Sequence, residues 1–411
     1  MKSMKYTNRF WMIPSFYGAV AWCLSIFLFE VRIFAFQQLS VVALVLIIFT
    51  IATFTFATII FIPLFFRYGG LPVAKYVPSL KYIIVLHFIG FIGLILAVIP
   101  VVTAVGGWNV YFYLLVNNSA VIRQFYTSVV GSYSAGIQIS YFGWIAIWLS
   151  VIRMRYIKER KIKWLVLLLV SCQFLANIFM IDRTRPFWII FVSIWLILYA
   201  YPKVKRLRFL VMNAVVAVVI LLSIFIFVAN WTGKTIKNNP GLATVSNNSL
   251  TMPYVYATAG IAYFNQITKY ETINYSLERS MYPLYMLLSK LKLVNRPPSQ
   301  INEFYNAPFP TNVGTFLEPY YRDGGPLLCI LAIFIHAFGF NLLALYGLKS
   351  NQPMIAVLTG NLCFIDVMSS FTPKANSTAI WLICGLTLLT ILSHKIIFTQ
   401  SKLDYRRFVH R

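Results

Sequence analysis

The sequence predicts an all-α polytopic membrane protein of about ten transmembrane helices. It reads as a single integral membrane domain over residues 1–411, with one large, partly helical loop at 230–325. Three observations lead there. The chain is 60% hydrophobic and only 11% charged, where a soluble domain carries about 25% charged residues. Apolar runs of roughly 20 residues, enough to span a bilayer core, recur along it. Lys and Arg number 35 against 10 Asp and Glu, and the basic residues crowd into alternate connections.

Taken in order, the first apolar run is 10–29, preceded by Lys2, Lys5 and Arg9. It continues into Glu30-Val31-Arg32 without a small-x-small cleavage site, so it reads as an uncleaved span rather than a signal peptide. The next runs are 39–62 and 82–104. The stretch 108–122 is too short and too polar at its end to cross, and reads as re-entrant or interfacial. Spans are then expected at 133–152, 164–181, 186–201 and 208–229, and after the loop at 326–347, 353–371 and 376–397. Cys23, Cys172, Cys329, Cys363 and Cys384 all fall inside apolar segments without paired spacing, and read as small packing residues.

Sidedness follows from the short connections. Arg153, Arg155, Lys158, Arg160, Lys161 and Lys163 share one, and Lys203, Lys205, Arg206 and Arg208 share the next on the same side. Basic residues hold short loops in the cytoplasm, so both termini are expected there. The net charge of +25 is explained in this way, and nucleic acid is excluded as a partner. The acidic residues lean the other way: Glu30, Asp182, Glu271, Glu278, Glu303, Glu318 and Asp323 face the outer side.

The loop 230–325 is too long to be a plain connection and too apolar to be a disordered linker. Within it "YPLYMLLSKLKLVNR" (282–296) suits a helix lying at the interface with Lys290, Lys292 and Arg296 at headgroups, or a helix capping the bundle. Pro297-Pro298 and "APFPTN" then end helical structure and return the chain to the bilayer.

Four outward groups of ionisable residues stand out: Asp182, Arg183 and Arg185 in the turn "DRTRP"; Glu271, Glu278 and Arg279; Glu318, Tyr320, Tyr321, Arg322 and Asp323; and Arg123 alone. Charges at span ends often only anchor to headgroups, and Lys290 and Lys374 read that way. Two arginines in a tight outward turn run against the positive-inside bias, and the guanidinium fork suits phosphate oxygens. Asp366 sits within a span, where it reads either as a proton or ion site or as helix glue bonded to Ser369, Ser370 or Asn361. The four histidines are scattered, and no HExxH, CxxC, Walker or GxGxxG pattern is present. No metal, nucleotide or other cofactor is therefore expected.

Two stretches carry a resemblance to a known family. "DRTRPFWIIFV" looks like an arginine and small polar residue just before an apolar span, and "NVGTFLEPYYRDGGPL" like an Asn-x-x-Thr, an aromatic pair, an Asp and a Gly-rich run closing a late loop. With the order of parts, the chain resembles the bacterial oligosaccharide repeat unit polymerases of O-antigen and capsule, the Wzy family. The resemblance implies a GT-C-like bundle in the bacterial inner membrane with its active site facing the periplasm. The implied reaction is glycosyl transfer from undecaprenyl pyrophosphate to the terminal hydroxyl of a new lipid-linked repeat unit. The implied partners are undecaprenyl-pyrophosphate-linked oligosaccharide, membrane lipids and a chain-length regulator protein. Developing charge on the leaving pyrophosphate calls for Arg183, Arg185, Arg279, Arg322 and Arg123. The attacking hydroxyl calls for a carboxylate from Asp323, Glu318 or Asp182. Tyr320 and Tyr321 are expected to stack on sugar rings. Rival readings are an O-antigen ligase, which shares this layout but has another acceptor, a lipid-linked oligosaccharide flippase, and an ion-coupled carrier resting on Asp366 alone.

Overall fold

The computed structural model describes residues 7–67, 78–130, 134–178, 180, 184–200, 223, 251–300, 302–350 and 352–392. They form a helical bundle with one two-residue strand pair, Tyr305–Asn306 antiparallel to Pro310–Thr311. In chain order the helices are α1 Pro14–Val31, α2 Val41–Arg67, α3 Leu80–Val105, α4 Trp108–Asn117, α5 Ser119–Phe125, α6 Ala135–Met154, α7 Arg160–Ile178 and α8 Thr184–Ala200. Then follow α9 Thr251–Tyr270, α10 Tyr282–Lys290, α11 Leu317–Phe334, α12 Phe340–Ser350, α13 Pro353–Met368 and α14 Thr378–Leu392.

Six helical segments are long and apolar enough to cross a membrane: α1, α2, α3, α6, α7 and the stretch Leu317–Ser350. Three shorter apolar helices, Thr184–Tyr199, Pro353–Met368 and Thr378–Thr387, coincide with three more of the expected spans. The expected span 208–229 lies outside the described residues except for Ser223. Phe27, Val45, Phe56, Ile59, Val85 and Phe88 are more than half exposed. In water such a surface would aggregate; in a bilayer it is the lipid contact. The stretch 108–122 becomes the two short helices α4 and α5, as its length demands.

Local chemistry sets the helix starts. Ser79 and Ser134 accept from the N–H of Tyr82 and Ile137 at the N-termini of α3 and α6. Pro14 and Pro353 stand in the first turn of α1 and α13, where no backbone donor is needed. α3 stops at Gly106, whose φ of 99° is a left-handed cap.

α3 and α6 cross with their backbones nearly touching. A methyl on Gly90 would meet the Gly143 backbone, one on Gly93 would meet Ser140, and one on Gly136 would sit 2.6 Å from the Ala97 nitrogen. Small residues of this kind let helices approach where no hydrophobic effect drives them together. Buried polar groups tie the rest: Trp144 Nε1 donates to Asn177 at 2.8 Å, Trp188 Nε1 to Asn361 at 2.7 Å, and Trp22 Nε1 to Ser369 Oγ at 2.9 Å.

The loop read from sequence as partly helical holds a full 20-residue helix, α9. Ile261, Tyr263, Phe264 and Ile267 are fully buried in a core shared with α1, α2 and α11. Asn265 closes that contact, accepting from Ser40 N at 2.7 Å and donating to Gln38 O at 3.1 Å. The expected helix over 282–296 ends at Lys290. It leaves Leu287, Leu291 and Leu293 exposed, a face of the kind an interfacial segment needs.

Candidate functional site

The site grows from a break in one helix. α11 runs from Leu317 into the span, yet Gly324 and Gly325 are non-helical inside it, and Gly325 has φ 65°. Only glycine enters that region without strain, and a Cβ there would also lie 2.7 Å from Ile273 Cδ1. Pro326 then restarts the helix, needing no donor of its own. The residues before the break, Leu317–Asp323, form a short buried arm. Cys329 Sγ bridges back to Leu317 O at 3.5 Å across the break.

Charge on this arm is buried and paired. Glu318 and Arg322, one turn apart, meet at 2.9 Å, and Arg322 Nη2 reaches Glu271 Oε1 at 2.7 Å and Tyr263 Oη at 3.1 Å. Tyr305 Oη donates to the same Glu271 oxygen at 2.8 Å. Burial, and then the Glu271 carboxylate that holds its proton, push the Tyr305 hydroxyl up. One guanidinium therefore serves two carboxylates. Arg279 adds a second positive charge near Glu318, and its Nε has no hydrogen-bond partner among the described residues.

Asp323 is buried differently. Its Oδ2 accepts from Arg279 N at 3.0 Å, Ser280 N at 2.7 Å and Ser280 Oγ at 2.7 Å, and its Oδ1 from Ser276 Oγ at 3.3 Å. Backbone bonds from Asn274 to Arg322 O and from Ser276 to Asp323 O, both 2.8 Å, lay the segment after Glu271 along the arm. Asp323 is a clamp that fixes where Arg279 stands. These donors occupy the carboxylate in holding the arm to the segment Ser276–Ser280.

Beside the arm opens a cleft of about 210 Å³, lined by Arg279, Tyr282, Asn302, Asn312, Glu318, Lys374 and Asn376 among others. Its rim is laced by hydrogen bonds: Asn376 Nδ2 to Arg279 O at 2.9 Å, Gln300 Nε2 to Asn376 O at 2.7 Å, and Asn302 Nδ2 to Glu318 Oε2 at 3.2 Å. Gly314 leaves room for Glu318, since a Cβ there would lie 2.9 Å from the Glu318 side chain. The cleft therefore offers one buried carboxylate, two cations, several amides and one aromatic ring. That donor and acceptor set recognises hydroxyl-rich and anionic groups, not apolar ones.

Of the residues expected from sequence, Glu318, Arg322, Asp323 and Arg279 come together here. Glu318 and Arg279 face the cleft; Arg322 is committed to its carboxylates. Arg185 is buried on α8, reaching Ser140 Oγ at 3.3 Å with its guanidinium over the rings of Tyr141 and Trp144. Arg123 lies on α5. Tyr321 packs edge-on against Phe264, and Tyr320 against Phe316, so both rings sit against the core rather than lining the cleft. Asp182 and Arg183 lie outside the described residues.

Sequence reasoning missed Tyr282, Asn302 and Asn376, took Asn312 only as part of the Asn-x-x-Thr stretch, and read Lys374 only as an anchor, whereas all of these line the cleft. The asparagines gave a signal, since amides in "INEFYNAPFPTN" and "KANST" beside span ends have no reason to be there for lipid contact. Asp366 also differs from expectation. Its side chain meets His336 at 2.9 Å, while Asn361 holds Trp188, and Ser369 bonds the Asp366 carbonyl rather than its carboxylate. Compared with known proteins, the chain matches no family model, no curated protein and no solved structure.

Proposed function

We propose that the chain is a polysaccharide polymerase. In this reading it is a glycosyltransferase with a GT-C-like bundle in the bacterial inner membrane, both termini cytoplasmic, and it works on the periplasmic face. The observation that carries the reading is a buried carboxylate, Glu318, lining a polar cleft with Arg279, Lys374 and a set of amides in an otherwise apolar helical protein. The basic bias of the alternate connections supports an outer-side location for that cleft, where no nucleotide donor is at hand and a lipid-pyrophosphate sugar is a donor that is already activated.

The chemistry divides among the chain's own groups. The acceptor hydroxyl attacks the anomeric carbon of the donor glycan, the bond from that carbon to the pyrophosphate oxygen breaks, and a glycosidic bond forms. Glu318 accepts the hydroxyl proton or orients it. Arg322 holds Glu318 in place from behind, a positioning role in place of the phosphate contact expected from sequence. Arg279 and Lys374 stabilise the charge that develops on the departing undecaprenyl pyrophosphate, the largest electrostatic demand of the step. Asp323 keeps Arg279 in position through its backbone. In this reading Arg185, buried at the start of α8 over Tyr141 and Trp144, is a further cation of the bundle, and Asp182 and Arg183 keep the roles the resemblance implies. Membrane lipids surround the bundle, and a chain-length regulator is a partner of this reading.

The test is Glu318→Gln in cells that depend on the chain for long surface glycan. Removing a general base lowers turnover about 10²–10⁴-fold. The expected phenotype is single repeat units at the surface with normal amounts of the protein in the membrane. Wild-type chain lengths overturn the role of Glu318. Deleting the gene separates the rivals: loss of all surface glycan with lipid-linked polymer accumulating indicates a ligase, and single units trapped on the cytoplasmic side indicate a flippase.

A further inference from the structure

A second set of ionisable groups lies away from the cleft, within the apolar helices. His336 stands in a π-turn, Ile335–Gly339, between α11 and α12, and Asp366 stands on α13. They are 1% and 0% exposed, with Nδ1 and Oδ1 2.9 Å apart. The imidazole is held between the rings of Phe316 at 4.6 Å and Phe340 at 4.5 Å. His336 Nε2 and Asp366 Oδ2 have no hydrogen-bond partner among the described residues. An ionisable pair at this depth is costly to keep and marks function by default, and single π-turns inside helices cluster at functional sites.

Proton counting narrows what the pair is. Two arrangements leave it neutral overall: a carboxylic acid with a neutral imidazole, or a carboxylate with an imidazolium. Both contain one proton. Without it, a lone negative charge remains in an apolar interior, and an uncompensated buried charge is strongly destabilising. Cys363, one turn earlier on α13, and Tyr17 on α1 behind it are the neighbouring titratable groups on that side. α2 and α8 meet the region with aromatic rings, Phe61 on Phe338 and Trp188 on Phe364. Their basic residues Arg67 and Arg185 stand at the ends of those helices.

One residue joins this pair to the cleft. The ring of Phe316 lies on His336, and its N–H donates to Ser369 O at 2.8 Å. Ser369 in turn donates to the Asp366 carbonyl through its N–H at 3.2 Å and its hydroxyl at 2.6 Å. Phe316 is the residue just before the arm, two positions from Glu318. Any rearrangement of the pair therefore displaces the residue from which the arm starts.

We infer that His336 and Asp366 form a single-proton site inside the helical bundle, and that its occupancy sets how the arm bearing Glu318 sits at the cleft. With the proton bound, Phe316 packs between the imidazole and Ser369. With the proton lost, the isolated carboxylate must be hydrated or re-partnered, which unseats Phe316 and loosens the arm.

The experiment uses the full chain in lipid vesicles with Ser299→Cys at the cleft, and reads its rate of modification by a charged, membrane-impermeant methanethiosulfonate across a pH series. Each rate is compared with that of the same cysteine in an Asp366→Asn background, so the cysteine's own titration cancels. The parent is expected to open the cleft as pH rises, with a rate change of at least about tenfold beyond the thiol's own titration, a small part of the cost of an unpaired buried charge. Asp366→Asn and His336→Gln are both expected to flatten that component. Asp366→Glu keeps a carboxyl at the position and is expected to retain it with a displaced midpoint. An unchanged profile in Asp366→Asn overturns the inference. If that variant fails to insert, an unchanged profile in His336→Gln overturns it equally. The labelling rate does not depend on glycan transfer, so its outcome is separate from that of the Glu318→Gln test.

Discussion

The α3–α6 crossing and the arm at Leu317–Asp323 are both buried, by opposite means. At the crossing the side chains are removed: Gly90, Gly93, Gly136 and Gly143 bring backbone against backbone. On the arm the side chains are kept, and each charge is given a partner. Glu318 and Glu271 share Arg322, and Asp323 takes backbone and serine donors. The first arrangement has no chemistry to offer and makes a rigid wall. The second holds a carboxylate ready at a cleft, and its integrity depends on charge balance instead of volume.

The contrast can be broken from either side. The largest effect is expected from Arg322→Ala, which strands Glu318 and Glu271 without their shared cation. Stripping one partner from a buried pair costs about 3–5 kcal/mol. The protein should lose monodispersity in detergent, and adding Glu271→Gln to Arg322→Ala should recover part of it. A well-behaved single variant means the arm is held by packing after all. Next in size is Gly93→Val, where overpacking costs about 1–3 kcal/mol and should lower the thermal unfolding midpoint without altering charge-dependent behaviour. No change in the midpoint means the crossing is looser than its geometry. The smallest effect is expected from Asp323→Asn, which keeps the shape and most of the acceptor capacity, at about 0.5–1.5 kcal/mol. Limited proteolysis should then cut within Ser276–Ser280. Protection equal to the parent's removes the clamp role.

The helical class and most of the span positions were legible because a bilayer imposes length and composition on each crossing directly. Glu318, Arg322 and Asp323 were legible as a group for the same reason, since charge beside an apolar run needs explanation. Their division of labour was not. Glu318 and Asp323 are both acidic and five residues apart in sequence, and only the fold shows that one lines a cleft while the other is filled by Ser276, Arg279 and Ser280. The partners that decide this come from far along the chain: Glu271 and Tyr263 from α9 and its end, Asn376 from beyond α13. His336 is a similar case. A lone histidine in an apolar run gives no sign that Asp366, thirty positions on, will face it.

The break at Gly324–Gly325 has a mechanical consequence. A transmembrane helix changes its tilt when the bilayer around it thickens or thins. An unbroken α11 would swing its first turn with that tilt. Here the turn is fastened instead to the segment after Glu271, through Asn274, Ser276 and Ser280, and joined to the span through the non-helical pair Gly324 and Gly325. The part of the helix after the break is left to follow the membrane, while the carboxylate at the cleft takes its place from the loop on one side and, through Phe316, from the end of α13 on the other.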